Sequence, residues 1–162
     1  MLICRGGEIG IHVRFRCVCP QGREGSSPSR GTTSMDLNNI HHIAIIVSNY
    51  EQSKKFYTEV LGFQIVNETF RAERDSYKLD LQINEHTQIE LFSFPNPPHR
   101  PSYPEAAGLR HIAFSVLSVE KIQDELISKG ILLEDIRIDE ITGKKFFFFA
   151  DPDGLPIEIY EQ

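Results

Sequence analysis

The sequence predicts an α+β domain of two β-α-β-β-β modules, because one order of strand and helix patterns occurs twice. A His-Ile-Ala triplet opens a strand pattern at His42 and again at His111, an offset of 69 residues. Glu90 and Glu158 occupy matching places in later strand patterns and differ by 68 residues. A nearly constant offset of this kind indicates a duplicated unit. We expect the two modules to form a curved mixed sheet with a metal site in its concave face.

Length and composition restrict the classes of protein to consider. A chain of 162 residues suffices for one domain with a hydrophobic core, but not for two ordinary domains. A net charge of −6 disfavours general nucleic-acid binding, which needs a basic face. No apolar run approaches the roughly 20 residues of a membrane-spanning helix. We therefore expect a cytoplasmic protein that binds a small molecule, and neither nucleic acid nor a membrane.

Residues 1–34 differ in composition from the rest of the chain. They contain all three cysteines and five Arg against two Glu, so subtracting their charge of +3 from −6 leaves −9 for residues 35–162. The stretch CPQGREGSSPSRGTTS is rich in Gly, Ser and Pro, a composition that cannot bury much apolar surface. We expect residues 1–34 to be a disordered or artefactual leader, with the domain beginning at Met35.

Module one is predicted to span residues 36–94. The pattern IHHIAIIV predicts a strand, and SNYEQSKKFYTEVLG at 48–62 predicts a helix. Asn49 followed by Gln52 resembles an N-terminal capping box, and Gly62 is a typical C-terminal stop. Three strand patterns separated by polar turns complete the module: 63–71, 77–84 and 87–94.

Residues 95–107 contain five prolines, which predicts a stiff linker before the plan repeats in module two, residues 108–162. LRHIAFSV predicts the first strand of this module, and the helix pattern covers 118–130. The turn DPDG at 151–154 separates the last two strands. The three strand patterns after the helix are 131–139, 144–150 and 155–161.

Alternation along the strands separates an aliphatic face from a face with one chemically active side chain. In residues 41–47 the isoleucines and valine at odd positions share one face, and His42 lies on the other. His111, Glu90 and Glu158 have the same kind of position. A lone strand histidine is more often a hydrogen-bonded core residue, but the repeat favours one common role. Two imidazoles and two carboxylates suit a divalent cation, whose charge the carboxylates neutralise.

At this point the chain resembles the vicinal oxygen chelate superfamily, which includes glyoxalase I, and is most similar to bacterial glyoxalase I-like proteins. The resemblance covers essentially all of residues 36–162. Four motifs support it: FYTEVLGF (56–63), IELF (89–92), GLRHIAF (108–114) and DPDGLPIEIYE (151–161).

The resemblance places the family's metal ligands on His42, Glu90, His111 and Glu158. It implies a divalent cation, with zinc or nickel favoured and manganese or iron compatible, and a homodimer whose sites lie within one chain or between two. It implies a lyase or isomerase of the lactoylglutathione lyase type, with Glu158 or Glu90 as the catalytic base. Two alternatives stay open: a metal-dependent small-molecule binding or resistance protein, and an acyl-CoA epimerase.

Substrate contacts differ from the glyoxalase I pattern at one position. Glyoxalase I commonly has an arginine four residues after its first ligand histidine, where this chain has Ile46. The resemblance therefore leaves the thiol adduct open. Arg71 and Arg74 are candidates for holding an anionic substrate, and Phe92 and Phe94 are candidates for an apolar pocket wall.

Overall fold

The computed structural model describes residues 35–102 and 104–162, and the expected leader at 1–34 lies outside them. Contacts group Leu37–Gln162 into one unit. Within it, the order strand, helix, three strands occurs twice, which confirms the α+β class and the duplicated plan. The domain boundary at Met35 stays a prediction.

Module one forms a four-stranded mixed sheet. Its strand order is β1-β4-β3-β2, with β1 parallel to β4 and the other neighbours antiparallel. Helix α1 is continued by one π-helical segment, and a 3-10 turn separates β2 from β3. The elements are β1 His42–Val47, α1 Tyr50–Lys55, the π segment Phe56–Val60, β2 Gln64–Arg71, the 3-10 turn Ala72–Arg74, β3 Ser76–Gln82 and β4 Gln88–Ser93.

Both predicted ends of the first helix are confirmed. The Asn49 side-chain oxygen accepts a hydrogen bond from the Gln52 backbone N–H at 3.1 Å, which satisfies a free donor in the first turn. The helical segment stops before Gly62, whose φ of 76° lies in the left-handed region that strains other residues.

Module two repeats this arrangement in a second four-stranded sheet of order β5-β8-β7-β6, with β5 parallel to β8. The predicted helix is present, and Gly130 follows it with a φ of 75°. No helix in the described ranges is long and apolar enough to cross a membrane. The elements are β5 Ile112–Val116, α2 Val119–Ser128, β6 Arg137–Ile138, β7 Lys145–Ala150 and β8 Pro156–Glu161.

The strand predicted at 131–139 is much shorter in the structure. Only Arg137–Ile138 pairs as β6, and Leu133 adds one isolated bridge to β7. The segment contains three acidic residues, a type that is depleted in strands. Asp139 then closes the hairpin, since its carboxylate accepts the backbone N–H of Ile141 and of Thr142.

The core consists of the aliphatic face of each sheet and the helix residues packed on it. Contacts between the modules include those of the π segment with β7 and with the β7–β8 turn. The Phe56 ring lies 6.4 Å from the Phe149 ring, between centroids, and the Tyr57 hydroxyl donates to Asp151 at 2.9 Å. Tyr57 is fully buried, and burial raises the pKa of Asp151. Each sheet is thereby covered on one face, and its other face stays open.

The buried Tyr57–Asp151 hydrogen bond gives a stability prediction. We expect Tyr57→Phe to lower the free energy of unfolding by about 2 kcal/mol, because a buried acceptor loses a partner. The matched control is Tyr50→Phe, which removes a 2.6 Å bond to the partly exposed Glu68 and should cost about 0.5–1 kcal/mol. Urea denaturation followed by circular dichroism measures both. Equal losses would contradict a special role for the bond between modules.

Candidate metal centre

The first predicted pair, His42 and Glu90, lies on the open face of the module-one sheet. Parallel pairing of β1 with β4 places Ala44, two residues after His42, directly opposite Glu90. The small alanine side chain leaves space for the imidazole and the carboxylate to approach. His42 Nε2 lies 3.8 Å from Glu90 Oε2, and the Glu90 side chain is 13% exposed.

The second pair repeats this geometry in module two. Ala113, two residues after His111, lies opposite Glu158 in the parallel pairing of β5 with β8. His111 Nε2 lies 3.2 Å from Glu158 Oε2, and the Glu158 side chain is also 13% exposed. The His111 ring packs edge to face on Phe148, with 5.3 Å between centroids. The His-Ile-Ala triplet therefore has the same structural role in both halves.

The four side chains come together as two pairs, not as one group. Over residues 35–102 and 104–162, no three His, Cys, Asp or Glu side chains gather into a metal-binding cluster. His42 and Glu90 belong to one sheet, and His111 and Glu158 belong to the other. A single chain in this arrangement therefore presents two half-sites.

Each half-site fits part of a metal shell. Two ligand atoms ~2.1 Å from one ion, at the angles of octahedral or tetrahedral coordination, lie roughly 3.0–3.4 Å apart. The His111–Glu158 separation of 3.2 Å falls in that range, and the His42–Glu90 separation of 3.8 Å is slightly longer. The His111 Nδ1 atom is buried without a hydrogen-bond partner among the described residues. The donor types and spacings suit a divalent cation with mixed nitrogen and oxygen ligands.

Lys78 is a charged neighbour of the first pair that the sequence did not single out. Its Nζ donates to Glu90 Oε1 at 2.9 Å and forms a second ion pair with Asp80. Burial lowers the pKa of Lys78, but the hydrogen bonds to Asp80 and Glu90 outweigh this and raise it. The alternation of Lys78, Asp80 and Gln82 along β3 is the sequence pattern that could have placed them on this face.

Three of the four predicted substrate contacts lie together. The Arg71 guanidinium stacks over Phe92 at 4.9 Å and over Phe94 at 5.5 Å, and it donates to Ser76 Oγ. Phe92 and Phe94 share the open face with Glu90, since strand side chains alternate. Arg74 lies on the exposed 3-10 turn, and no described contact joins it to the other three.

Module two has a similar cation–aromatic stack that the sequence also did not single out. Arg137 lies over Phe146 at 4.8 Å and over Phe148 at 5.6 Å, and it forms an ion pair with Glu134 at 2.7 Å. Phe148 also contacts His111, so this stack adjoins the second pair. Both open faces therefore combine a His–Glu pair, aromatic rings and an arginine.

Comparisons with known proteins cover both modules. Residues 39–159, which include both His–Glu pairs, match the family described as Glyoxalase/Bleomycin resistance protein/Dioxygenase superfamily. YwkD of Bacillus subtilis is 62% identical over 128 residues, which are 79% of this chain and 100% of YwkD. The crystal structure of a glyoxalase family protein from Enterococcus faecalis has a TM-score of 0.74 and 48% identity, covering 78% of this chain and 100% of that one. Glyoxylase I 4 of Arabidopsis thaliana is 27% identical over 133 residues, which are 77% of this chain and 71% of that protein.

Lys78 allows a test of the electrostatics on the open face. We expect Lys78→Met to lower the unfolding free energy of chelator-treated protein by about 1–3 kcal/mol, because two adjacent carboxylates lose their shared cation. The control Lys55→Met breaks the exposed Lys55–Glu59 pair, separated by 3.9 Å, and should change stability very little. Urea denaturation measures both variants. A Lys78→Met protein as stable as the wild type would show that the ion pairs are not stabilising.

Proposed function

Because the chain belongs to the Glyoxalase/Bleomycin resistance protein/Dioxygenase superfamily, we propose that it is a metal-dependent lyase or isomerase of the glyoxalase I type. The observation that carries this proposal is the repeated His–Glu pair. Each module presents one imidazole and one carboxylate, on matching strands and in matching register. Two such pairs make up the His, Glu, His, Glu set that suits a divalent cation.

In this proposal, one site combines the pair of module one from one copy with the pair of module two from a second copy. Within one chain the pairs lie on separate sheets, and among the strands of residues 35–102 and 104–162, β1 and β5 are edge strands with one side unpaired. Ile46, on the open face of β1, is 57% exposed, so a second copy on this face would bury apolar surface. A twofold dimer would cover both edges and complete two equivalent sites.

The residues fit zinc or nickel, and they are also compatible with manganese or iron. The two carboxylates neutralise a divalent ion, which removes most of the cost of burying its charge. When bound, such an ion polarises the substrate's carbonyl oxygen and stabilises the negative charge that develops on deprotonation.

Glu158 is the proposed catalytic base. It would remove a proton from the carbon beside the carbonyl and return it to the neighbouring carbon, which isomerises the substrate without net gain or loss of atoms. Glu90 is held by Lys78 at 2.9 Å, whereas Glu158 contacts His111 and pairs with no lysine or arginine among the described residues. Glu158 is therefore the carboxylate with more freedom to move, and the aromatic rings beside it would exclude water from the reacting carbon.

The base assignment is tested with Glu158→Gln, which keeps the side-chain shape. We expect turnover to fall by about 10²–10⁴-fold while circular dichroism stays unchanged, because the amide does not accept the proton. Adducts of α-keto aldehydes with thiols and acyl-CoA thioesters are the substrates to screen, with Glu161→Gln on the same strand as control. Full activity in Glu158→Gln would make the assignment wrong. Tight binding of an adduct without turnover in the wild type would favour a binding protein.

The shared site is tested by complementation. One chain carries His42→Ala and Glu90→Gln, and the other carries His111→Ala and Glu158→Gln. Alone, each protein should lose metal and activity, whereas random mixing should restore roughly a quarter of the intact sites, one in each mixed dimer. Elemental analysis and the activity assay measure the recovery. Purified mixed dimers without recovery would show that each site lies within one chain.

A further inference from the structure

A cavity of about 680 Å³ adjoins the second His–Glu pair. His111 and Phe148 form part of one wall, and residues of the proline-rich linker, including Arg100 and Glu105, form another. This volume lies within the roughly 300–1,000 Å³ of typical small-molecule pockets. The cavity is therefore large enough for a substrate that reaches from His111 to the linker.

Arg100 has a defined position in this cavity. Its Nη2 donates to the backbone carbonyls of Leu109, at 2.5 Å, and Arg110, at 2.9 Å, immediately before His111 in the chain. The Nε atom of Arg100 is buried and has no hydrogen-bond partner in the described part of the chain. Because Nη2 already donates to two carbonyls and protein covers Nε, Nη1 is the donor left for a ligand, and no hydrogen bond joins it to the described residues.

The other arginines of the cavity are neutralised by neighbouring carboxylates. Arg110 pairs with Glu105 at 3.2 Å, and Arg137 pairs with Glu134 at 2.7 Å. Among the described residues, Arg100 forms no such ion pair, so its charge is uncompensated in a chain whose net charge is −6. An uncompensated guanidinium in a concave site attracts anions.

We propose that Arg100 forms an oxyanion subsite, which binds a carboxylate or phosphate group at the end of the substrate remote from the reacting carbonyl. The guanidinium suits both groups, since it keeps its positive charge and its free Nη1 carries two N–H donors for oxygen acceptors. The inference rests on the proposed function and narrows its substrate class to small carbonyl compounds with an anionic group. Arg71 is less suited to this role, because it does not line this cavity and its guanidinium lies against Ser76 and two aromatic rings.

The experiment measures anion binding by the full-length protein, both metal-loaded and after chelation. Succinate and inorganic phosphate are the anionic probes, and succinamide is the neutral control for succinate. Calorimetry should detect binding of succinate or phosphate to both forms of the protein, and no binding of succinamide. The anion that binds more tightly indicates whether the anionic group of the substrate is a carboxylate or a phosphate. Binding that disappears on chelation would assign the anion to the metal and overturn the proposal.

Variants of Arg100 separate its charge from its contacts with the backbone. We expect R100Q to weaken succinate binding at least tenfold and R100K to weaken it less, since lysine keeps the charge. The control K121Q removes an exposed cationic side chain on α2, outside the cavity, and should bind as the wild type does. Unchanged binding in R100Q, or an equal loss in K121Q, would overturn the proposal.

A spectroscopic measurement on the unmodified protein covers the case in which R100Q does not fold. In an NMR spectrum of arginine Nε–H groups, the resonance that is missing in R100K belongs to Arg100. Succinate should shift this resonance, and a resonance that stays fixed would overturn the proposal. These measurements need no turnover. The anion-binding result is therefore independent of the activity result for Glu158→Gln. Anion binding can be found when the proposed chemistry is wrong, and it can be missing when that chemistry is right.

Discussion

Parallel pairing between the first and last strands of each module is the constraint on which the site depends. It places Ala44 opposite Glu90 and Ala113 opposite Glu158, so an imidazole and a carboxylate meet on one face of each sheet. A shift by one residue would move these side chains to the opposite face. The hydrophobic residues between them prevent such a shift, because they must stay in the core. Packing therefore positions the candidate ligands.

Alternation and duplication predict from the sequence which face of its strand each candidate ligand occupies, but not which ligands lie near one another. The face of each strand, the Asn49 cap and the stop at Gly62 follow from local patterns, because each depends on residues close in sequence. The predicted strand 131–139 failed because its pairing with β7 is interrupted at Asp135–Ile136, between Glu134 and β6. Periodicity assigns a residue to a face, but it contains no information about which sheets adjoin, so it did not show that the ligands separate into two pairs.

The contacts that were missed depend on distances between segments that are far apart in sequence. Lys78 reaches Glu90 only through the register of β3 with β4, and Arg100 reaches the carbonyl before His111 only through the path of the linker. Neither residue belongs to a local motif. Both residues contribute to the charge around a candidate His–Glu pair.

The two half-sites are therefore chemically unequal despite their common origin. On the module-one face, a lysine compensates the glutamate and Arg71 is enclosed by aromatic rings and a serine hydroxyl. On the module-two face, the glutamate contacts its histidine, and an arginine with a buried, unpartnered N–H lies beside that histidine. A half-site whose carboxylate is fixed suits the holding of a cation. The other half-site, with a freer carboxylate and an open cavity, suits proton transfer on a bound molecule. In the proposed function, the duplicated pair supplies the ligands twice, and the different charges around the two pairs divide cation binding and proton transfer between the halves.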